Sequence, residues 1–494
     1  MASPETPALK PPRTSAPGRV YKPGIVLAFI CVAQFMVFLD VTVVNVALAH
    51  IQKSLDMAET DLQYIVTAYG TVLGGFLLLG GRLADVVGRR RMLQIGLFLF
   101  AASSLVAGVS QSPGVLIGAR GFQGLGSALI APAALSILTS TFKEGPERTR
   151  ALGIWGALTG LASVAGVLLG GILTQGPGWR WIFFINVPIG IIAVLLAPLL
   201  APESRDTERR HRIDVTGAIL LTTGLLLLIY TLNETVNRGW GDGRTIGGLA
   251  GAAVLLAAFL IVEGRTKEPL MPLGIFRNTA MRTANLATVL LFGSTVTLFF
   301  FASLFMQVVL GYSALKTGLA YVPLALVVAI AAGIASTLTT KIAAKPVMLT
   351  GMFLSAAGLV MLARLPKDGS YLTHVLPAFI VAGAGLGASF VTLQVAAFIG
   401  VRQHEAGLAA GLINTSQEGG GALGVAVVAT AAFAKIKDLR DAAAGNADRI
   451  KDAQASGFHE AFVIGAGFAV TALVLALVLL PMMRASERPD TVIG

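Results

Sequence analysis

Charge and cysteine are what this sequence has least of. Only 13% of its 494 residues are Asp, Glu, Lys or Arg, against about 25% in a soluble domain. A single cysteine, Cys31, stands alone, which excludes a disulfide framework or a thiolate metal cluster within the chain. The five histidines, His50, His211, His374, His404 and His459, are scattered without metal-ligand spacing, so no metal site is expected. No G-x-x-x-x-G-K-[ST] string marks a nucleotide-binding P-loop, and no G-x-S-x-G string marks a hydrolase elbow. The chain therefore reads as a non-enzyme without a cofactor.

What is abundant is apolar. Hydrophobic residues make up 55% of the chain, with 57 glycines and a mean hydropathy of +0.78. A spanning helix takes about 20 apolar residues, and the runs are spread along the whole length. Fourteen spans are expected: 24–48, 62–81, 92–110, 114–140, 149–174, 181–200, 215–233, 245–262, 283–309, 317–338, 346–363, 374–400, 406–433 and 460–482. The first is too long for a signal-peptide core and contains Asp40 and Asn45, so it reads as a retained span. The formal charge of +11 would suggest a nucleic-acid partner in a soluble chain. Here, with the sides alternating from a cytoplasmic N-terminus, 24 of the 37 Lys/Arg residues fall on the inner side. That bias orients the spans with both termini cytoplasmic and removes nucleic acid from the expected partners.

The expected organisation is a disordered cytoplasmic arm (1–23), a six-helix bundle (24–200), a linker with spans 7 and 8 (201–278), a second six-helix bundle (279–482) and a cytoplasmic tail (483–494). The outer loop 434–459 mixes Ala with Lys, Asp and Arg and is compatible with an amphipathic helix, a hairpin or a solvated loop. Weak internal echoes support two halves. Gly124-Leu125-Gly126-Ser127-Ala128 returns as Gly385-Leu386-Gly387-Ala388-Ser389, and the segment from Gly81 to Gly96 returns loosely as Ser336 to Gly351. Parallel halves of six helices are a transporter architecture.

The strongest motif is Gly81-Arg82-Leu83-Ala84-Asp85-Val86-Val87-Gly88-Arg89-Arg90-Arg91, between spans 2 and 3. Its glycines permit a tight turn and close backbone approach. Asp85 is an acceptor for the arginines or for a helix N-terminus. This string resembles the loop 2–3 signature of the major facilitator superfamily. Leu39-Asp40-Val41-Thr42-Val43-Val44-Asn45-Val46-Ala47-Leu48 resembles the first-span motif of its fourteen-span drug:proton antiporters. Arg120-Gly121-Phe122-Gln123-Gly124-Leu125-Gly126 is similar to the span-4 motif, and Trp179-Arg180-Trp181-Ile182-Phe183-Phe184-Ile185-Asn186-Val187-Pro188-Ile189-Gly190 to a span-6 string of that subfamily. The span-5 antiporter motif is partial: Gly153, Gly166, Gly170 and Gly171 keep the close-packing face, while Ala162 and Val167 replace a glycine and the proline.

An ionisable group in a span costs about 2.5–3.5 kcal/mol and is a functional candidate. Asp40 in span 1, Arg120 in span 4 and Glu418 in span 13 are such groups. The resemblance implies a protonation or cationic-substrate site at Asp40 and a role in proton coupling for Arg120. A structural hydrogen bond in the helix bundle remains open for Asp40, and a structural pair holding spans 1 and 4 together for Arg120. Glu418 shares a helix face with Asn414 and Thr415 and reads as a second protonation site, a counter-charge for cationic substrate, or a buried acid bonded to a neighbouring helix. Gln34, Phe38, Asn45, Phe301, Gln307, Gln394, Asn414 and Glu418 are expected to line the substrate cavity. Gly81, Arg82, Asp85, Gly88, Arg89, Arg90 and Arg91 are expected to act as a conformational lock.

The resemblance thus implies an all-α membrane protein of the major facilitator fold, with two extra central helices. It would be a monomeric, multi-pass protein of a bacterial cell membrane. Its function would be proton-driven export of hydrophobic, often cationic drugs or antibiotics, with small hydrophobic molecules, protons and the bilayer as partners. A lipid or lipid-linked metabolite exporter on the same fold is the alternative; a passive facilitator or membrane-embedded enzyme is the reading from another class.

Overall fold

Lipid offers the backbone no hydrogen-bond partners, so long apolar runs satisfy their own N–H and C=O groups as helices. The computed structural model describes residues 21–57, 62–203, 214–266, 269–401, 405–442 and 447–480. Among them there are helices and no strands. In chain order they are α1 (Pro23–Leu55), α2 (Leu62–Val87), α3 (Arg89–Val109), α4 (Pro113–Thr141), α5 (Pro146–Gln175), α6 (Trp181–Phe184), α7 (Asn186–Leu200), α8 (Val215–Arg238) and α9 (Gly243–Arg265). Then follow α10 (Thr279–Leu304), α11 (Ala314–Ile342), α12 (Ala344–Leu362), α13 (Leu376–Phe398), α14 (Ala406–Ala442) and α15 (Ala447–Leu479). Single π-helical turns extend α10 at Phe305–Val309 and precede α13 at Tyr371–Val375.

Thirteen helices among the described residues are long and apolar enough to cross a membrane, with Trp181–Leu200 crossing as one span. They coincide with thirteen of the expected spans. The fourteenth, 149–174, falls in the 30-residue helix α5, where several side chains lie outside the described residues. Most of the expected arm (residues 1–20) and the tail (481–494) also lie outside them. The segment 434–459 is helical on both sides: α14 continues to Ala442 and α15 begins at Ala447.

The exterior is apolar and the interior holds the polar groups. Phe98, Ile172, Leu195, Val215, Val254, Ile330 and Val478 are exposed, whereas Asp40, Arg120, Gln123, Asn186 and Gln394 are buried. An apolar exterior is what a lipid solvent selects, and the polar groups are held inside an otherwise apolar core.

Two packing groups follow the chain. In 23–200, α4 packs on α2 and α3, α1 on α5, and α3 on α7; in 279–479, α13 packs on α11 and α12, and α10 on α14 and α15. Glycine makes the approaches close. A Cβ on Gly126 would lie 2.8 Å from Phe100 N on α3, and one on Gly124 would lie 3.2 Å from Leu73 N on α2. The second group repeats the device, but two residues earlier than the matching strings imply. A Cβ on Gly385 would lie 2.6 Å from Gly351 O on α12, and one on Gly383 would lie 2.9 Å from Leu324 O on α11. Gly124 and Gly126 therefore correspond in packing to Gly383 and Gly385.

The helices α8 and α9 pack on each other, and α8 also packs on α2 and α14. The connection after α9 is tied down by buried polar contacts. Glu263 accepts from the backbone N–H groups of Leu270 (3.0 Å) and Met271 (3.2 Å), and Arg82 donates to the Pro269 carbonyl at 3.3 Å.

Candidate functional site: a buried carboxylate network and an interhelical cap

Asp40 lies on α1 at 1% exposure, and Arg120 on α4 is equally buried. A guanidinium cannot shed its charge in a protein, so it must be met by acceptors. Arg120 Nη1 donates to Asp40 Oδ2 and, at 2.9 Å, to Gln123 Oε1; its Nε donates to the Ile65 carbonyl at 3.1 Å. Its plane lies over the Tyr69 ring, 4.3 Å from the centroid, a favourable cation–π geometry. Tyr69 in turn shares a 2.8 Å hydrogen bond with Ser127.

The other carboxylate oxygen of Asp40 is held by two amides. Gln123 Nε2 donates to Oδ1 at 3.2 Å, and Asn186 Nδ2 at 2.9 Å. Gln123 Nε2 also reaches Ser104 Oγ at 2.7 Å. The network thus joins α1, α2, α3, α4 and α7. Gln123, Asn186, Ser104 and Tyr69 are functional candidates that the sequence reading did not single out. The rule applied to charges, that a polar side chain inside an apolar span needs a reason, would have found Gln123 and Asn186.

Glu418 is on α14, the second packing group, and is partly exposed. Its Cβ is 3.4 Å from where a Cβ on Gly74 would stand, so α2 and α14 meet beside it. Among the described residues, its carboxylate has no hydrogen-bond or ion-pair partner, unlike Asp40. Asn414 on the same face is buried with Nδ2 unpaired, and Ser416 donates to Asn285 Oδ1 on α10 at 2.9 Å.

The remaining expected cavity residues separate. Among the described residues, Gln34 is buried with Oε1 unpaired, and Gln394 is buried with both amide atoms unpaired. Phe38 is half-buried and Asn45 exposed. Gln307 is exposed in the π turn after α10 and donates to Ser303 Oγ at 2.8 Å. Phe301 does not fit a cavity wall in this structure. It is 1% exposed, with rings of Phe300, Phe433 and Phe458 around it, because apolar packing at this depth absorbs an aromatic ring more readily than a water-filled cavity does.

The loop 2–3 motif forms a second polar site. Asp85 at the end of α2 accepts from the backbone N–H groups of Gly407 and Leu408, both at 3.0 Å. These are the first-turn donors of α14, which have no partner within their own helix. Asp85 thus caps α14 from another helix, and its charge complements the positive end of the helix dipole. Arg89 pairs with Asp85 at 3.2 Å. Close approach permits the cap: a Cβ on Gly81 would stand 3.1 Å from Gly407 C and 3.2 Å from Gly411 Cα. Gly88, between α2 and α3, has φ +122°, a conformation that only glycine takes without strain. Arg90 and Arg91 depart from the expected lock. They face Glu203 after α7, at 3.5 and 3.9 Å, and do not join Asp85, because successive residues on a helix project about 100° apart.

Losing a side-chain cap typically costs about 0.5–2 kcal/mol. Asp85→Ala is therefore expected to increase hydrogen–deuterium exchange at Gly407 and Leu408 while leaving the Asp40 network protected.

The span-5 glycines divide likewise. A Cβ on Gly166 would meet Thr42 Cγ2 at 2.9 Å, and one on Gly170 would meet Val46 Cβ at 3.0 Å, so α5 lies close on α1. Gly153 faces Ser336 of α11, whose hydroxyl donates to the Thr149 carbonyl at 2.9 Å. A Cβ on Gly171 would meet nothing within 4 Å, so this glycine takes no part in that face. The Val167 side chain lies outside the described residues.

Buried polar groups thus bridge the membrane helices, and a helix cap joins the two packing groups. The sequence profile described as Major Facilitator Superfamily matches residues 30–425, and the chain belongs to that family. It is 38% identical over 464 residues to the puromycin resistance protein pur8 of Streptomyces alboniger, covering 92% of this chain and 90% of the relative. It is 37% identical over 471 residues to the cephamycin export protein CmcT of Amycolatopsis lactamdurans, covering 94% of each. The crystal structure of the human organic anion transporter MFSD10 (TETRAN) shares the fold, with a TM-score of 0.62 at 14% identity over 92% of this chain and 100% of that one. The protein is accordingly a multi-pass membrane transporter.

Proposed function

We propose that this protein exports small hydrophobic molecules, including cationic drugs or antibiotics, in exchange for protons. The observation that carries the reading is the contrast between two intramembrane carboxylates. Asp40 is paired and amide-bonded on one side, and Glu418 is unpaired and partly exposed on the other. The two relatives named above, described as a resistance and an export protein, support the cargo class.

In this reading the two packing groups are six-helix bundles that move against each other about a midplane site, with α8 and α9 inserted between them. Asp40 takes a proton from outside; its charge is then lost to Arg120, which keeps Gln123, the Ile65 carbonyl and the Tyr69 ring. Glu418 supplies the counter-charge for a cationic cargo or a second proton. The cap of Asp85 on α14 and the Gly153–Ser336 contact between α5 and α11 hold the loop 2–3 side closed, which makes the described state outward-facing. The protein works as a monomer, has no cofactor and draws on the proton gradient.

The test is drug efflux from cells or vesicles, with and without a protonophore. Efflux of a lipophilic cation should collapse on adding the protonophore; efflux that continues against the gradient rejects antiport. Glu418→Gln is expected to weaken transport of monocations by about tenfold, the equivalent of one 1.4 kcal/mol interaction, while sparing neutral cargo. Equal effects on both cargo types would assign Glu418 to the proton pathway or to structure.

A further inference from the structure

We propose that Asn186 is a positioning residue that follows the protonation of Asp40, reversing its amide when the carboxylate becomes a carboxylic acid. This rests on the proton-coupling role proposed for Asp40. Two amides hold Asp40 Oδ1, and their other bonds differ. Gln123 is fixed at both ends: Nε2 also donates to Ser104 Oγ, and Oε1 accepts from Arg120 Nη1. Turning it over would set its NH2 against the Arg120 guanidinium, which cannot accept, and forfeit that bond. Asn186 is fully buried, its Nδ2 donates to Asp40 Oδ1 at 2.9 Å, and its Oδ1 has no partner among the described residues. A buried acceptor without a donor is a cost that proteins seldom retain.

A proton arriving on Asp40 supplies the missing donor. When the proton adds to Oδ1, that oxygen becomes a donor as well and keeps less acceptor capacity: it can still take the Gln123 N–H, but its new hydrogen needs an acceptor where the Asn186 N–H stood. Rotation about the terminal torsion of Asn186, which is a broad, roughly two-fold torsion, brings its Oδ1 round to accept the new O–H. Either protonation state then has one hydrogen bond to Asn186, of opposite polarity. The local backbone suits a residue that responds. Asn186 opens α7 directly after the junction with α6 at Ile185. Pro188, two residues on, has no N–H to return to the Phe184 carbonyl, so the helical ladder is thinned beneath Asn186.

The charges around Asp40 come from other elements. Arg120 on α4 is its partner; Tyr69 on α2 lies beneath Arg120 and within electrostatic range of both Asp40 and Glu418 of α14. The segment α7 has no ionisable residue, and those of α5, Glu147, Arg148 and Arg150, lie in its first turns. On α1 itself the next charged side chain is Lys53, with His50 before it. Of the two uncharged amides on Asp40, Asn186 is therefore the one with an acceptor to spare for a proton.

The experiment uses the full chain in proteoliposomes and ethidium as the lipophilic cation. It reads gradient-driven uptake across external pH and, separately, substrate exchange without a gradient. Removing the N–H donor to the ionised carboxylate should let Asp40 keep its proton to higher pH. Asn186→Ala and the volume-matched Asn186→Leu lose a charge-assisted hydrogen bond in the ionised state and a weaker neutral one in the protonated state, and that difference is expected to raise the pH of half-maximal driven transport by about one unit. Exchange without a gradient should persist. Asn186→Thr, whose hydroxyl both donates and accepts, should return the midpoint towards that of the unaltered protein. Should one apolar variant fail to fold, the other carries the comparison. An unchanged midpoint in an apolar variant that transports overturns the proposal. If the unaltered protein exchanges ethidium but shows no gradient-driven uptake, the proton role of Asp40 itself fails, an outcome distinct from an unmoved midpoint.

Discussion

Asp40→Asn is expected to abolish proton-driven accumulation of substrate while leaving downhill exchange in place. The substitution keeps the size and the hydrogen-bonding reach of the side chain and fixes it in a neutral state, like that of the protonated acid, which cannot exchange a proton. Arg120 would still have the Ile65 carbonyl, Gln123 and the face of Tyr69. Asp40→Ala should behave differently. It removes the acceptor oxygens as well as the charge, so the buried donors of Arg120, Gln123 and Asn186 lose this partner altogether, a change that typically costs about 3–5 kcal/mol, and it should lower the thermal unfolding midpoint and the folded yield together. Measured side by side in vesicles and by thermal unfolding, the pair separates proton exchange from stability. Full gradient-driven transport by Asp40→Asn would remove Asp40 from the coupling pathway.

The second large effect is expected at Gly81. A side chain there has backbone on the far side, not a flexible neighbour: Gly407 C at 3.1 Å and Gly411 Cα at 3.2 Å from the Cβ position. Gly81→Leu must therefore part α2 from α14 and pull Asp85 from the donors of Gly407 and Leu408. Overpacking typically costs about 1–3 kcal/mol, and a bias of that size shifts a two-state equilibrium roughly 5–150-fold. Transport should fall accordingly, with the protein still inserted. Cysteine labelling can read the shift directly, because Cys31 is the single native thiol and its replacement gives a clean background. Cysteines introduced on facing positions of α2 and α14 should become more reactive in Gly81→Leu; unchanged labelling would show that this contact does not set the equilibrium.

Much of this was legible in the sequence, for reasons that differ by feature. The spans were, because lipid demands long apolar runs and the runs are unbroken; their ends were less so, since helices such as α14 continue beyond the apolar stretch. Asp40 and Arg120 could be picked out because a charge in such a background is conspicuous, but their pairing depends on how α1 and α4 are turned. Asn186 lay inside the span-6 motif without a role, because an amide carries no charge to draw attention and its partner is 146 residues away. The internal echo was visible, yet matching Gly124 to Gly385 by letters misplaced the register by two residues, since packing follows the helix face that a glycine occupies. Phe301 was misjudged for a related reason: residue type does not say whether a ring faces a cavity or other rings. Arg90 and Arg91 could not be separated from Arg89 without knowing that Glu203 stands beside them.

The position of α8 bears on how a greasy molecule reaches the protein from the side. Leu226 and Ile229 of α8 sit against Gly75 and Gly74 of α2, and α8 also touches α14. The seam where α2 meets α14 is thereby roofed from the surrounding lipid by the α8–α9 pair. The other seam, where α5 meets α11, has no such cover from that pair. The two flanks of the molecule are therefore unequal: one is covered by a helical hairpin, and among the described residues that hairpin leaves the other bare.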